Sequence, residues 1–154
     1  MANTQSNFEA ILNKVVEVIT TGLPPLFPTA VITFQPEPKR ALKRAFAFVS
    51  PAGRAEEDGT NVKREVLYEV KITAIESSLK EESLIFGMLD RQEKLARLFR
   101  NRDGDDLPLT DASADTDVII WDFAGDDYSL IDVENRFYTW IESTIIVRVH
   151  ETIS

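Results

Sequence analysis

Carboxylates are the main side chains here that could carry chemistry, because the sequence has one histidine and no cysteine. That histidine is His150, which stands near the end of a strand-like segment, and Glu151 beside it alternates to the other face. A hydrolytic triad needs a serine and a carboxylate at the histidine, and zinc sites need several histidine or cysteine ligands. The pattern therefore favours a surface or edge-strand histidine over a catalytic one.

The segment Asn101–Asp106 has the oxygen-rich composition of a calcium loop. An EF-hand loop requires glycine at its sixth position and glutamate at its twelfth. Counted from Asn101, those positions hold Asp106 and Ala112, so a loop that ends a helix is the better interpretation. Glycosidases use two carboxylates, but nothing in this sequence selects a pair. We therefore predict no enzymatic activity, no catalytic residue, no cofactor and no metal site.

The length of 154 residues predicts a single domain that spans residues 1–154. At 44% hydrophobic residues the chain can bury a core without disulfides or metals. No apolar run approaches the roughly 18–20 residues that cross a bilayer, and the polar N-terminus lacks the pattern of a signal peptide. The cytoplasm of the producing cell is the expected default location.

The charge is acidic and unevenly distributed: 26 Asp and Glu stand against 17 Lys and Arg, which gives a net charge of −9. Lysine and arginine contacts to phosphate dominate nucleic-acid affinity, so specific binding of DNA or RNA is not expected. Basic residues are frequent between Lys39 and Arg100, whereas residues 103–134 are rich in acids. Two interpretations remain open: a solvated acidic loop region, or a dipolar monomer that pairs head-to-tail with its copies.

The periodicity predicts two helices and several strands. Ser6 and Glu9 form a capping-box pattern that begins a helix over residues 6–21, and helical spacing returns over residues 84–100. Strand patterns cover residues 30–35, 41–50, 64–77, 118–123, 128–133 and 136–151, with a break at 51–53, an exposed loop at 51–63 and a hairpin turn at 124–127. The expected fold class is α+β: a single antiparallel sheet of about five to six strands with two main helices packed on one face.

Aromatic residues occupy both faces of the last strand. Strict alternation places Tyr138, Trp140 and Arg148 on the face opposite Phe137 and Ile141. A wet face would not carry Trp140, so either a partner subunit or a second layer of helices is expected there. We predict Tyr138, Trp140 and Arg148 as a subunit interface.

In the order of its elements nearly the whole chain resembles the tail terminator proteins of long-tailed bacteriophages, and related neck and tail-completion proteins share the fold. Three segments are similar to that family in their local sequence pattern: LYEVKITAIE at 67–76, MLDRQEKLARLFR at 88–100 and IDVENRFYTWIESTIIVRVHE at 131–151. The resemblance implies a virion protein at the tail–neck junction, assembled in the host cytoplasm. It implies a homo-oligomer, a hexameric ring, that caps the tail tube, stops its polymerisation and offers a surface to the head. DNA would pass through the lumen, and no membrane is involved.

The resemblance also suggests a role for the loop at 51–63, which would contact the adjoining rings through Arg54, Glu56, Glu57 and Asp58. Two alternatives stay open. A different head–tail connector of the neck would also form a ring, but it would bind the portal side. A monomeric enzyme or ligand-binding α+β domain would use the acidic loop 103–117 over the sheet and would contain a concave apolar pocket.

Overall fold

The structure is a computed structural model that describes residues 6–22, 24–41, 44–57, 63–77, 82–109 and 116–152. Two helices, α1 (Asn7–Thr20) and α2 (Glu82–Phe99), accompany six strands. The strands are β1 (Ala30–Ile32), β2 (Phe46–Glu57), β3 (Lys63–Ser77), β4 (Arg102–Asp103), β5 (Thr116–Val133) and β6 (Arg136–Thr152), and a short 3₁₀ helix covers Pro38–Ala41.

Helix α1 begins where the capping pattern predicted. The Ser6 Oγ accepts a hydrogen bond from the Glu9 amide at 3.1 Å, which satisfies one of the free amides of the first turn. The apolar stripe of the helix is buried against the sheet and comprises Ala10, Ile11, Leu12, Val15 and Ile19. Burial of this stripe, more than intrinsic propensity, fixes a helix of 14 residues on the sheet.

The sheet has the order β1-β2-β3-β6-β5-β4 and is mixed, because β1 pairs with β2 in parallel while every other pairing is antiparallel. The α+β class, the six strands and the two helices on one face are confirmed; the parallel β1 differs from the expected all-antiparallel arrangement. A parallel neighbour is possible because the segment between β1 and β2, which includes the 3₁₀ helix, returns the chain to the same end of the sheet.

The main core lies between the two helices and one face of the sheet, which we call the helix-covered face. Alternate residues of β3 and β6 supply most of it, since side chains two apart share a face. Its largest side chains are Trp121, Phe27, Phe99, Ile11, Ile19, Ile72, Leu95, Ile141 and Ile145, all less than 2% exposed. Trp121 also donates from Nε1 to the Leu107 carbonyl at 3.1 Å, so its polar atom is satisfied within the core.

The opposite face of the sheet is divided into two halves. At one end a second, smaller cluster buries Ala41 of the 3₁₀ helix with Phe48, Ile75 and Tyr138. On the other half no described helix packs, and polar side chains alternate with half-buried Leu67, Ile120 and Ile146. We call this second half the open face.

Two predicted interruptions are wrong. Residues 51–57 belong to β2 and pair with β3, and the break expected at Pro51–Gly53 is a β-bulge that the strand accommodates. Residues 124–127 form no hairpin turn: β5 runs unbroken from Thr116 to Val133, and Gly125, at φ 141°, sits at a second bulge. The hairpin turn lies at Glu134 and Asn135, where φ is 53° and 63°, as a two-residue type I′ turn requires.

Candidate assembly surfaces

Three of the four residues predicted to contact adjoining rings, Arg54, Glu56 and Glu57, lie at the far end of β2 and not in a loop. Arg54 sits over the Tyr68 ring at 5.7 Å and donates from Nη2 to Glu56 at 2.7 Å. Glu56 also accepts from Arg64 at 3.0 Å. Strand pairing with β3 holds these side chains in place, so the loop expectation is corrected for Arg54, Glu56 and Glu57. Asp58 lies outside the described residues.

A partly buried polar contact lies beside this end of the sheet. The Tyr68 hydroxyl donates to the Glu151 carboxylate, which also accepts from Asn7 Nδ2 at 2.8 Å. Burial, with the hydrogen bond to Glu151, raises the pKa of Tyr68 to about 12. The contact joins the first turn of α1 to β3 and β6, so it stabilises the fold and leaves Tyr68 protonated at neutral pH.

The three residues predicted for a subunit interface have different environments. Tyr138 is 2% exposed inside the second cluster, so its side chain is used within its own protomer and offers almost no surface. Trp140 is half-buried against the same cluster and donates from Nε1 to Glu142 at 3.0 Å. Alternation places all three on one face as predicted, but the short 3₁₀ helix covers Tyr138, which sequence reasoning missed.

Arg148 lies on the open face, where cross-strand ion pairs surround it. Its guanidinium contacts Glu65 of β3 and lies 4.0 Å from Glu57 of β2. Lys71 and Glu142 pair at 3.9 Å on the same face, and His150 Nε2 stands 3.9 Å from Glu65. His150 is therefore a solvent-facing strand residue beside a carboxylate.

Acids dominate the open face. Register and alternation place on it Glu57, Glu65, Glu69, Asp117, Asp122, Asp127 and Glu142, against the bases Lys63, Lys71 and Arg148. A hollow of about 280 Å³ on this face is lined by Glu69, Gly125, Asp127, Thr144 and Ile146, among others. The electrostatic potential of such a face is negative, so it repels phosphate groups.

The aspartate-rich segment after α2 forms a turn. Asn101 takes φ 50° as α2 ends, and the Asp103 Oδ1 accepts from the Asp105 amide at 2.9 Å. Gly104 is required there, because a Cβ at this position would stand 1.9 Å from the Val118 carbonyl oxygen. Helix α2 does end at Phe99, but Arg102 and Asp103 form the short strand β4, which the predicted loop did not include. Within the described ranges, no group of three or more His, Cys, Asp or Glu residues is placed to hold a metal ion.

Exposed apolar side chains form two patches that sequence reasoning missed. The first, which we call the β1 patch, comprises Ile32, 44% exposed, and Phe34, 76% exposed. The second, the hairpin patch, comprises Tyr128, Leu130 and Phe137 near the β5–β6 turn. The alternation of apolar and polar residues over 128–132 indicates a strand with an apolar face. Because a hairpin turn was expected at 124–127, the continuation of β5 beyond the part of the sheet that the helices cover was missed.

The remaining concave surface is modest. A hollow of about 340 Å³ lies between the end of α1 and the last turns of α2, lined largely by aliphatic groups of Val18, Pro24, Leu26 and Leu98. Another, of about 370 Å³, is lined by Lys39, Val133, Glu134, Arg136 and Tyr138.

No protein-family model matches this sequence, and no curated protein is similar to it in sequence. Among solved structures, the chain is similar to a chain of the virion of a native gene transfer agent (GTA) particle, at 14% identity and a TM-score of 0.46. The match covers 79% of this chain and 78% of that one. At this similarity the match establishes neither a family nor a role. Across the residues that the structure describes, no helix is both long and apolar enough to cross a membrane.

Proposed function

We propose that this protein is a structural component of a phage-type virion, a ring-forming tail terminator that caps the tail tube. The proposal assigns it a mechanical role: the ring binds the last ring of the tube, stops polymerisation and offers a surface to the head. The open face of the sheet is the observation that carries the proposal. A broad, acidic sheet face on which none of the described helices packs, backed by a helix-covered core, suits the wall of a channel for DNA.

Electrostatics explains why that face suits a lumen. Double-stranded DNA carries about one negative charge per 1.7 Å of axis, and basic residues that neutralise phosphates would hold it in place. On the open face Arg148 and Lys71 are already paired with Glu65 and Glu142. DNA would therefore pass without binding. We propose that Arg148 faces this lumen.

The far ends of β2 and β3 supply the proposed contact to adjoining rings. Arg54, Glu56 and Glu57 are exposed there, beyond the part of β2 that β1 covers. Because strand pairing holds Arg54 and Glu56 in a defined geometry, a partner ring would meet a rigid charged edge. The proposed partners are the tail tube protein on one side and neck proteins on the other, and assembly is proposed to take place in the host cytoplasm.

Purified protein added to purified tail tubes tests this role. Electron microscopy is expected to show density at one end of each tube, and light scattering is expected to show that the tubes no longer lengthen when tube protein is added. A charge-reversed variant, Arg54→Glu with Glu56→Lys, should fold and yet cap fewer tubes. Tubes that remain bare and keep growing would overturn the terminator role, and binding to portal rings instead would identify a neck connector.

A further inference from the structure

We infer that the β1 patch of one copy docks on the hairpin patch of the next copy, which makes the contact between subunits heterologous. The inference rests on the proposed function only in that a ring needs such a contact; the surfaces themselves are defined by exposure, position and charge. The sheet order places β1 at one edge and the β5–β6 hairpin toward the other.

Strand register shows that the hairpin patch is one continuous surface. Tyr128 pairs with Ile141, Leu130 with Thr139 and Asp132 with Phe137, so Tyr128, Leu130 and Phe137 share the helix-covered face beyond the main core. They are 51%, 61% and 50% exposed. Solvent-facing apolar groups of this size, grouped on one face, are typical of a protein–protein contact.

Helix α2 extends this patch on its side facing β5. The Ser143 Oγ of β6 lies 3.2 Å from Gln92 Oε1 of α2 and 2.6 Å from Asp126 Oδ1 of β5, so α2 passes beside β5 two residues before Tyr128. Leu89, three positions before Gln92, and Phe86, three positions before Leu89, adjoin it on the helix surface and are 42% and 58% exposed. The hairpin patch is thus a shallow apolar seat between a strand and a helix.

The charges around the two patches are opposite. Acidic residues accompany the hairpin patch, namely Asp126, Asp127, Asp132 and Glu134, with Arg136 and Lys39 as nearby bases; Lys39 lies 2.9 Å from Glu134 of the same copy. Around the β1 patch the other charged residues described are Glu37, Arg40 and Arg44, and Arg40 lines a hollow of about 170 Å³ together with Ile32. The β1 patch of a second copy is basic and aromatic, so it is attracted to the acidic, apolar hairpin patch of the first copy.

Two copies are not expected to pair through backbone hydrogen bonds at the edge of the sheet, so the contact between them is made by side chains. β4 pairs with β5 only at Ile120 and Trp121, so the outer edge of β5 from Asp122 to Val133 has no strand beside it among the described residues. A bulge before Gly125 and the aspartates along this edge are features that prevent edge-to-edge pairing. Phe34, the most exposed large apolar side chain described, is the natural anchor residue of the contact.

Because the two patches differ, a mixing experiment tests the inference. Phe34→Asp spoils the β1 patch and Leu130→Asp spoils the hairpin patch, and both sites are exposed, so both variants should fold. Each variant alone is expected to be monomeric by light scattering. Mixed together, they retain one intact junction and should form a 1:1 dimer, whereas Ile119→Asp, at an exposed apolar site outside both patches, should assemble like the parent chain.

Cysteine cross-linking detects the contact even when the copies associate only weakly. Because the chain has no cysteine of its own, the introduced cysteines are the only thiols in the reaction. Phe34→Cys mixed with Leu130→Cys should form a disulfide-linked dimer at least ten times faster than Phe34→Cys mixed with Ile119→Cys. Equal rates, or a mixture of the Asp variants that stays monomeric while the parent assembles, would overturn the inference. Cross-linking without capping of tail tubes would support this junction and contradict the terminator role. Capping without cross-linking would support the terminator role and contradict this junction.

Discussion

The Tyr68 hydroxyl donates a hydrogen bond to the Glu151 carboxylate, and this pair fastens the start of α1 to the far end of the sheet. Glu151 also accepts from Asn7, while the Phe8 ring meets the Tyr68 ring edge-on, with ring centroids 4.9 Å apart. The three contacts join the first turn of the helix, the middle of β3 and the end of β6. The Tyr68 side chain thus helps to hold together three segments that are distant in sequence.

Replacing that phenol should change the pH dependence of stability. The pKa of Tyr68 is about 12 in the folded chain and about 10 when unfolded, so the folded state holds the proton more tightly. Its contribution is fully present below pH 10 and is lost as the pH rises from about 10 to 12, and it amounts to about 2–3 kcal/mol.

Urea unfolding of the parent chain and of Tyr68→Phe, measured between pH 8 and 12, checks this. The difference in unfolding free energy between the two should shrink across that window. Tyr128→Phe is the comparison variant: partial burial and Asp126 also raise the pKa of Tyr128, but its side chain is half exposed, so its pH-dependent difference should be smaller than that of Tyr68→Phe. A difference that stays constant up to pH 12 would show that Tyr68 titrates normally.

Two glycines should respond to alanine in opposite directions. At Gly104 a Cβ would stand 1.9 Å from the Val118 carbonyl oxygen, and neither backbone can move without breaking the β4–β5 pairing, so Gly104→Ala should cost about 2 kcal/mol or more. Gly87 lies in exposed helix with nothing within 4 Å, so Gly87→Ala should stabilise by about 0.5–1 kcal/mol. Thermal unfolding of both variants compares them directly. Similar shifts for the two would mean that the turn at Gly104 relaxes.

The β5–β6 turn makes a further prediction. Glu134 and Asn135 both have positive φ, a conformation that favours glycine over other residues. Asn135→Gly is therefore expected to raise the free energy of unfolding by about 0.5 kcal/mol, whereas Asn135→Val should lower it by about 1 kcal/mol or more, since a β-branched residue is strained there. Glu134 also forms an exposed ion pair with Lys39, 2.9 Å long, which should contribute little to the free energy of unfolding. Lys39→Met removes this ion pair without changing the turn residues and is therefore the control. Chemical denaturation at neutral pH measures all three, and a stabilising Asn135→Val would contradict the turn type.

Local periodicity was sufficient to predict the helices and the long strands. The capping pattern at Ser6 and the stripes of α1 and α2 are set by residues three or four apart, so they are legible in the sequence. The ends of β2 and the middle of β5 were misread, because Pro51, Gly53 and Gly125 normally interrupt strands. Here bulges absorb them, and only the pairing with neighbouring strands decides between a turn and a bulge.

The candidate surfaces were less predictable than the fold. Alternation placed Tyr138, Trp140 and Arg148 on one face, but whether a face is covered depends on a distant segment. The 3₁₀ helix Pro38–Ala41 packs over Tyr138, and no periodic pattern marks it. The exposure of Phe34 and Leu130 likewise follows from where the helices end relative to the sheet, which is a tertiary property.

Trp140 and Arg148 should now behave differently when replaced. Part of the Trp140 indole packs on the second cluster, and its Nε1 donates to Glu142, so Trp140→Asp is expected to lower the free energy of unfolding by about 2–4 kcal/mol. Arg148 forms solvent-facing ion pairs, so Arg148→Ala should change stability by less than about 1 kcal/mol and leave assembly intact. Urea unfolding and light scattering of both variants measure the two properties together. A Trp140→Asp chain that is fully stable yet remains monomeric would support the predicted place of Trp140 in a subunit interface. Loss of assembly in Arg148→Ala would do the same for Arg148 and would contradict its proposed position at the lumen.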